Sequence, residues 1–356
     1  MKKIALLTFG LIMGVLCSNA QLKFYDASDF PLYGKITNAT ETRYERLPEE
    51  LKGSIRDRLW YLGTNSAGLY IRFRTNSTSI SATWEVSSNN ALNHMASVGV
   101  KGLDLYCYKD KRWQFVNTGK PIERETTGTL IENMPGDLME YMLYLPLYDG
   151  LTRLEIGVDS TAIMESPVID SPQSQKPVVY YGTSITQGGC ASRPGMAYTS
   201  ILSRKLDRQF INLGFSGNGQ LDYEIAEVMA NADPSLFVLD FVPNVNKQQI
   251  IDKTENFIRI LREKHPHTPI LVVGTIEFPH SRFDQSMASV LKEKNEALKS
   301  ICAKMKKNGD KKLIYVNPDK LIGLDGEGTV DGIHLTDLGF YRYAGNMGPV
   351  IHKYLK

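Results

Sequence analysis

Residues 178–186 read Val-Val-Tyr-Tyr-Gly-Thr-Ser-Ile-Thr, an apolar run that ends in a glycine followed by small polar residues. The run predicts a buried β-strand, and the glycine predicts a tight turn at its carboxyl end. Similar short apolar runs follow at residues 210–213, 236–241, 270–275 and 313–316. This second half of the chain therefore carries five predicted strands of one kind.

Helical patterns separate these strands, at about residues 196–206, 223–230, 247–264, 287–307 and 336–354. Strands that are apolar on both faces and alternate with helices are typical of a parallel sheet covered by helices on both sides. We therefore expect the α/β class, as a three-layer α/β/α sheet. In such folds the chemistry lies at the carboxyl ends of the strands.

The first half of the chain has a different period. Short strand-like runs separated by turn residues occupy residues 68–74, 78–86, 95–100, 103–108, 113–116, 139–147 and 151–158. This spacing predicts an all-β sandwich or jelly roll over residues 21–166. Three prolines between residues 165 and 177 interrupt the pattern, so residues 167–177 are predicted to be a linker and residues 178–356 a catalytic domain.

Residues 1–20 predict a signal peptide. Met-Lys-Lys precedes an almost wholly apolar run over residues 4–16, and Cys-Ser-Asn-Ala follows it. The run is shorter than the roughly 20 residues that a membrane anchor needs. Export to the periplasm or the extracellular space is the expectation. A lipoprotein anchor on Cys17 is less favoured, because Leu16 is bulky.

The composition excludes some functions. Lys and Arg number 41 and Asp and Glu 39, a net charge of +2 to which the two lysines of the leader contribute. A chain without a basic surplus is not expected to bind nucleic acid or an anionic membrane. Of the four cysteines one lies in the leader, and the remaining three cannot form a disulfide framework.

Ser184 is the candidate nucleophile. It stands just past the predicted strand, where nucleophilic serines of α/β enzymes are presented. The alternative is that Ser184 only caps a helix or forms a turn.

Six histidines could supply the base that such a serine needs. Three are predicted to be solvated surface groups: His265, His267 and His352. His94 falls in the β-rich half, which leaves His280 and His334. Asp331 precedes His334 by three residues and can orient one imidazole nitrogen while the other faces Ser184. Asp331 and His334 are therefore preferred to His280.

Donors for a developing oxyanion are expected after the second and third strands of this half. Residues 212–219 read Asn-Leu-Gly-Phe-Ser-Gly-Asn-Gly, and glycines there allow backbone N–H groups to face the cleft. Residues 240–246 read Asp-Phe-Val-Pro-Asn-Val-Asn, where Asn244 can offer a side-chain amide. Complete dinucleotide-binding and phosphate-loop motifs are missing.

The order Ser184, Gly217, Asn244 and Asp331-x-x-His334 resembles the SGNH or GDSL-like hydrolase family. The resemblance implies a flavodoxin-like sheet with Ser184 as nucleophile and Asp331 and His334 completing a triad. It also implies an oxyanion hole made by the Ser184 N–H, Gly217 and Asn244.

The sequence departs from the family pattern at two points. Gly-Thr-Ser replaces Gly-Asp-Ser, and Val-Pro-Asn-Val replaces Gly-x-Asn-Asp. Asn246 therefore remains an alternative to Asn244, and Gly214 and Gly219 remain alternatives to Gly217.

Residues 102–106, Gly-Leu-Asp-Leu-Tyr, resemble the N-terminal domain that accompanies a bacterial branch of these hydrolases, which implies a jelly-roll module. All three tryptophans lie in this half: Trp60, Trp84 and Trp113. They are predicted to belong to the core, with sugar stacking as the alternative.

Together these features predict a secreted serine esterase acting on acyl groups, acetyl above all, of carbohydrates. No metal or organic cofactor is implied. The expected partner is an acylated small molecule or glycan, and the sequence does not define an oligomeric state. A lipase or general acylhydrolase and a non-catalytic glycan-binding protein are the alternatives.

Overall fold

The computed structural model of the protein describes residues 21–170 and 175–355. The predicted signal peptide lies outside the described residues, as does the middle of the predicted linker. None of the helices in the described ranges combines the length and the apolar character that a bilayer crossing requires.

The N-terminal half consists mainly of antiparallel strands. They are β1 (Leu22–Asp26), β2 (Leu32–Tyr33), β3 (Tyr70–Thr75), β4 (Ile80–Val86), β5 (Leu103–Lys109), β6 (Arg112–Gly119), β7 (Glu125–Ile131), β8 (Met139–Tyr144), β9 (Leu151–Asp159) and β10 (Met164–Glu165). One sheet has the order β1-β9-β4-β7, and the other has the order β10-β3-β8-β5-β6 with β2 beside β3. An antiparallel β domain is therefore present, whereas the jelly-roll connectivity stays a prediction.

The core of this half contains residues of both sheets, among them Phe73 and Leu143 of one sheet and Trp84 and Ile156 of the other. Trp84 is 1% exposed, as expected for a core residue. Trp60 and Trp113 are only partly buried and pack against other apolar clusters.

Two short helices interrupt the strands, α1 (Asp57–Gly63) and α2 (Ser97–Lys101). The strand predicted over residues 95–100 is therefore wrong. The apolar residues there form one helical turn that buries Val100 with Ala191 and Leu147 of other segments. Strand β7 was missed because it is an edge strand whose buried positions include Thr126.

The C-terminal half contains the predicted parallel sheet. Its strands are β11 (Val178–Gly182), β12 (Phe210–Gly214), β13 (Leu236–Asp240), β14 (Ile270–Val273) and β15 (Leu313–Val316), in the order β12-β11-β13-β14-β15. Its helices are α3 (Ser184–Gln187), α4 (Tyr198–Leu206), α5 (Tyr223–Ala230), α6 (Lys247–Lys264), α7 (Gln285–Lys307) and α8 (Asp337–His352).

Alternate residues of each strand enter two different cores. Val179 and Tyr181 pack with residues of α5, α6 and α7, whereas Val178 and Tyr180 pack mainly with residues of α4 and α8. The α/β prediction is confirmed, because every strand of this sheet is parallel to its neighbours and helices cover both faces.

The two halves share buried contacts. Leu59 and Leu62 of α1 belong to the same core as Tyr181. The Arg46 guanidinium is 1% exposed and donates to the backbone carbonyls of four residues: Leu62, Asn65, Asn212 and Gly214. The edge strand of the parallel sheet, which contains Asn212 and Gly214, is thus supported from the N-terminal half.

The Gly-Leu-Asp-Leu-Tyr segment forms a second contact between the halves. Asp104 accepts hydrogen bonds from the Arg193 guanidinium (2.6 Å) and the Gly195 N–H (2.8 Å), and the Tyr106 hydroxyl lies 2.6 Å from Arg193. Burial raises the pKa of Asp104 to about 6. A Cβ at Gly195 would lie 2.5 Å from Asp104 Oδ2, so this contact requires glycine.

Candidate active site

Ser184 is the first residue of α3, and only Thr183 separates it from the end of β11. The Thr183 side chain caps this helix by accepting from the Ile185 N–H. Gly182 makes the turn possible, because a Cβ there would lie 2.0 Å from Thr186 Oγ1 and 2.8 Å from the Asp240 carbonyl oxygen. Ser184 is 6% exposed, so its hydroxyl is held in a largely enclosed position.

Three donors hold the Ser184 carbonyl oxygen. They are the N–H groups of Gly188 (3.0 Å) and Gly189 (2.7 Å) and the hydroxyl of Tyr148 (3.2 Å). Tyr148 belongs to the N-terminal half, which therefore directly contacts the turn that carries Ser184.

The structure brings the three predicted triad residues together. His334 Nε2 lies 2.9 Å from Ser184 Oγ, and His334 Nδ1 lies 2.7 Å from Asp331 Oδ2. An ionised carboxylate can only accept, so the Nδ1 proton belongs to His334 and points at Asp331. Nε2 is then left with its lone pair toward the Ser184 hydroxyl, as a general base requires.

Asp331 is fixed by a tight turn. Its Oδ1 accepts from the N–H groups of Ile333 (3.0 Å) and His334 (2.8 Å), and Gly332 within the turn has φ +87°. Burial opposes ionisation of Asp331, but the hydrogen bonds from the His334 side chain and from these two N–H groups outweigh it. The pKa of Asp331 falls to about 2, so the carboxylate stays charged.

Hydrogen bonding separates the three glycines considered for the oxyanion hole. The Gly214 N–H donates to Asn212 Oδ1 (2.9 Å), and the Gly219 N–H donates to Asn244 Oδ1 (3.2 Å). Gly217 has φ +68°, and its N–H donates to no atom of the described part of the chain. Gly217 is therefore the glycine whose N–H remains available.

Asn244 and Asn246 also make different hydrogen bonds. Asn246 caps α6, with its Oδ1 accepting from the Gln249 N–H at 2.8 Å. Asn244 uses Oδ1 to hold Gly219, which leaves its NH₂ group as a donor. A Cβ at Gly219 would lie 2.3 Å from the Gly182 carbonyl oxygen, so the loop that contains Gly219 lies directly beside the turn that carries Ser184.

The remaining histidines take several positions. His280 lies against the turn that holds Asp331 and His334, since a Cβ at Gly332 would be 2.7 Å from Nδ1 of His280. His267 and His352 are exposed, as predicted. The surface prediction for His265 is wrong, because its ring is half-buried, with Nε2 3.0 Å from the Ala230 carbonyl oxygen.

The sequence reasoning missed His94 and Gln187. The His94 ring, from the loop after β4, lies 5.2 Å from the His334 ring. The fully buried Gln187 side chain donates to Asn65 Oδ1 and the Leu147 carbonyl and accepts from the Ser216 N–H. The proximity of Gln187 to Ser184 in sequence was an available signal, whereas nothing in the sequence brings His94 to His334.

A buried polar network lies beneath α3. Asp240 at the end of β13 accepts from the hydroxyls of Tyr343 (2.6 Å) and Tyr198 (3.3 Å), and Tyr198 also pairs with Thr186 of α3. Burial raises the pKa of Asp240 to about 6. The network connects the helix that carries Ser184 to α4 and α8.

Two protein-family models match the chain. The model of the GDSL-like lipase/acylhydrolase family matches residues 175–352. The model for the N-terminus of SGNH-hydrolase-type esterases matches residues 22–164. No curated protein matches in sequence.

Solved structures share the architecture of both halves. A GDSL-like lipase from Bacteroides ovatus is 40% identical, with TM-score 0.90 over 94% of this chain and 98% of that one. A salicylyl-acyltransferase from a tetracycline biosynthetic pathway has TM-score 0.77 and 17% identity over 94% and 99%. An acetyl xylan esterase from the rumen bacterium Butyrivibrio proteoclasticus has TM-score 0.56 and 12% identity over 93% and 98%.

Proposed function

The chain belongs to the GDSL-like lipase/acylhydrolase family, and we propose on this basis that it is a serine esterase in which Ser184, His334 and Asp331 form the catalytic triad. The observation that carries the proposal is the continuous hydrogen-bond chain from Asp331 through His334 to Ser184 Oγ. A serine that only capped a helix would not need an imidazole on its hydroxyl.

The mechanism follows from the positions of the donors and acceptors. Ser184 Oγ attacks the ester carbonyl carbon while His334 Nε2 takes its proton, and Asp331 stabilises the imidazolium. His334 then gives the proton to the leaving alcohol, and water activated in the same way resolves the acyl-enzyme. The N–H groups of Ser184 and Gly217 and the Asn244 amide are assigned to the oxyanion, which forms only along the reaction path.

The proposed substrate is a short acyl ester, acetyl above all, on a carbohydrate. Three observations support this choice. Residues 1–20 have the pattern of an export signal, which would place the protein where glycans are met. An accessory β domain, proposed to be a jelly roll, reaches the site through Tyr148 and His94. Carbohydrate esterases also occur among the proteins of this architecture.

The test compares p-nitrophenyl acetate with a long-chain p-nitrophenyl ester and with an acetylated glycan, for the wild type and S184A. We expect turnover of acetate esters and of the acetylated glycan, and a fall in kcat of at least about a thousandfold in S184A. Preference for the long chain would favour a lipase, and absence of turnover in the wild type would favour a glycan-binding protein. An S184A protein of wild-type activity would refute the triad.

A further inference from the structure

Three side chains with metal-ligating atoms meet beside the nucleophile. One ring nitrogen of His94, one ring nitrogen of His334 and the Sγ atom of Cys190 all lie within 4.8 Å of one another. His94 comes from the loop after β4, Cys190 from the turn after α3, and His334 from the turn before α8. We propose that these three residues form a Zn²⁺ site that inhibits the enzyme when it is occupied.

Both imidazoles are held in the way that metal ligands are usually held. A histidine ligand commonly donates its second ring N–H to an oxygen, which fixes the ring and directs the other nitrogen to the metal. His334 Nδ1 has Asp331 Oδ2 at 2.7 Å, and His94 Nδ1 has Asn93 Oδ1 at 2.9 Å. Each imidazole therefore presents Nε2, the atom that a shared ion would bind.

The third ligand stands at an unusual backbone position. Cys190 has φ +71°, a left-handed conformation that favours glycine or asparagine and is strained in other residues. It follows Gly188 and Gly189 in the same turn. Cys190 is 8% exposed, and its Sγ lies within 4.8 Å of a ring nitrogen of His334.

The donor set suits zinc. Thiolate and imidazole are ligands that Zn²⁺ prefers, and three protein ligands leave a fourth tetrahedral position for water. Zinc bonds of about 2.0–2.3 Å space the ligands by about 3.5 Å, so the three atoms, which lie within 4.8 Å of one another, must move closer by at most about 1.3 Å. The loop that carries His94 lies outside the helices and strands, which makes this adjustment local.

The consequence for activity rests on the proposed function. Zinc on His334 Nε2 occupies the lone pair that would accept the Ser184 proton, so the 2.9 Å hydrogen bond to Ser184 Oγ is lost. Binding also releases the Cys190 thiol proton to solvent. The occupied protein has no free general base and is inactive until the ion leaves.

The direct test is spectroscopic and independent of esterase activity. The chelator-treated full-length protein is titrated with Co²⁺, which gives a near-ultraviolet charge-transfer band only when a thiolate binds it. The band is expected in the wild type and in the control C107S, which changes a half-buried thiol in β5. It should be absent from C190S and weakened in H94Q. No band in the wild type, or equal bands in all variants, would overturn the site.

The second test measures hydrolysis of p-nitrophenyl acetate against Zn²⁺ concentration. Inhibition of the wild type should be reversed by EDTA, and half-inhibition of C190S and H94Q should need about tenfold more Zn²⁺ or higher. A cobalt band together with Zn²⁺-insensitive hydrolysis would overturn the inhibitory role. A wild type without any hydrolysis would refute the esterase proposal, while the cobalt spectra still decide the metal site.

Discussion

Asn244 offers a substitution that separates its two hydrogen-bonding roles. In the structure Oδ1 accepts from the Gly219 N–H at 3.2 Å, and the NH₂ group is the part assigned to the oxyanion. N244D keeps an oxygen for Gly219 but replaces the donor with a second carboxylate oxygen. The substitution therefore removes transition-state stabilisation while the loop keeps its anchor.

The expected size of the effect follows from the loss of one donor. Removing an oxyanion-hole donor typically costs about 10²–10³ in kcat, or roughly 2.7–4 kcal/mol. Repulsion between the new carboxylate and the oxyanion adds to this loss. KM should change little, because the donated bond forms only as charge develops. The free energy of unfolding should change by less than about 1 kcal/mol, since the anchor persists.

The assay is steady-state hydrolysis of p-nitrophenyl acetate, with urea unfolding of the same samples. N246D is the matched control two residues away, because aspartate caps a helix as well as asparagine and its kcat should stay at the wild-type value. N244D within threefold of wild-type kcat would refute the assignment. A large loss in N246D alone would move the role to Asn246.

Three further predictions concern the support of the site. R46M should lower the free energy of unfolding, measured in urea, by about 3–5 kcal/mol, because it leaves four buried carbonyls without their donor. The control R58M changes an exposed arginine and should alter the free energy of unfolding by less than about 0.5 kcal/mol. Equal effects of the two substitutions would contradict the role given to Arg46. The folded state raises the pKa of Asp104 from 3.8 to about 6, so it binds this proton more tightly than the unfolded chain does. As pH rises from about 3 to 7, the wild type should lose about 3 kcal/mol of unfolding free energy relative to D104N, and a pH-independent difference would refute the assignment. G219A should lower kcat by at least tenfold because its Cβ would lie 2.3 Å from a backbone oxygen. G217A has nothing within 4 Å of its Cβ, but the φ of +68° disfavours any side chain, so it should lower the free energy of unfolding by about 1–2 kcal/mol and lower kcat less than G219A does. A larger loss of kcat in G217A than in G219A would exclude this arrangement of the loop.

The fold of the C-terminal half could be predicted from the sequence because its signals are local. A strand buried on both faces is a continuous apolar run, so Val178–Gly182 and its neighbours were recognisable without knowledge of their partners. The proximity of Asp331 and His334 could be predicted as well, since the two residues are three positions apart and must lie close together in any fold.

The contacts between the halves were not accessible in this way. Val100 lies in an apolar segment that reads as a strand, yet packing against Ala191 makes it part of a helical turn. Nothing in the neighbouring sequence marks Arg46 or His94 as important. Their contacts with the other half, to Asn212 and to His334, join residues more than 100 positions apart in the chain. The choice among Gly214, Gly217 and Gly219 required the hydrogen bonds themselves.

The most direct test of the triad is covalent labelling of the full-length protein with a fluorophosphonate, followed by intact-mass measurement and peptide mapping. The geometry at His334 Nε2 predicts one adduct per chain, on Ser184, with labelling abolished in S184A and strongly slowed in H334A. An adduct on another residue, or equal labelling of S184A, would contradict the assignment of Ser184 as the nucleophile.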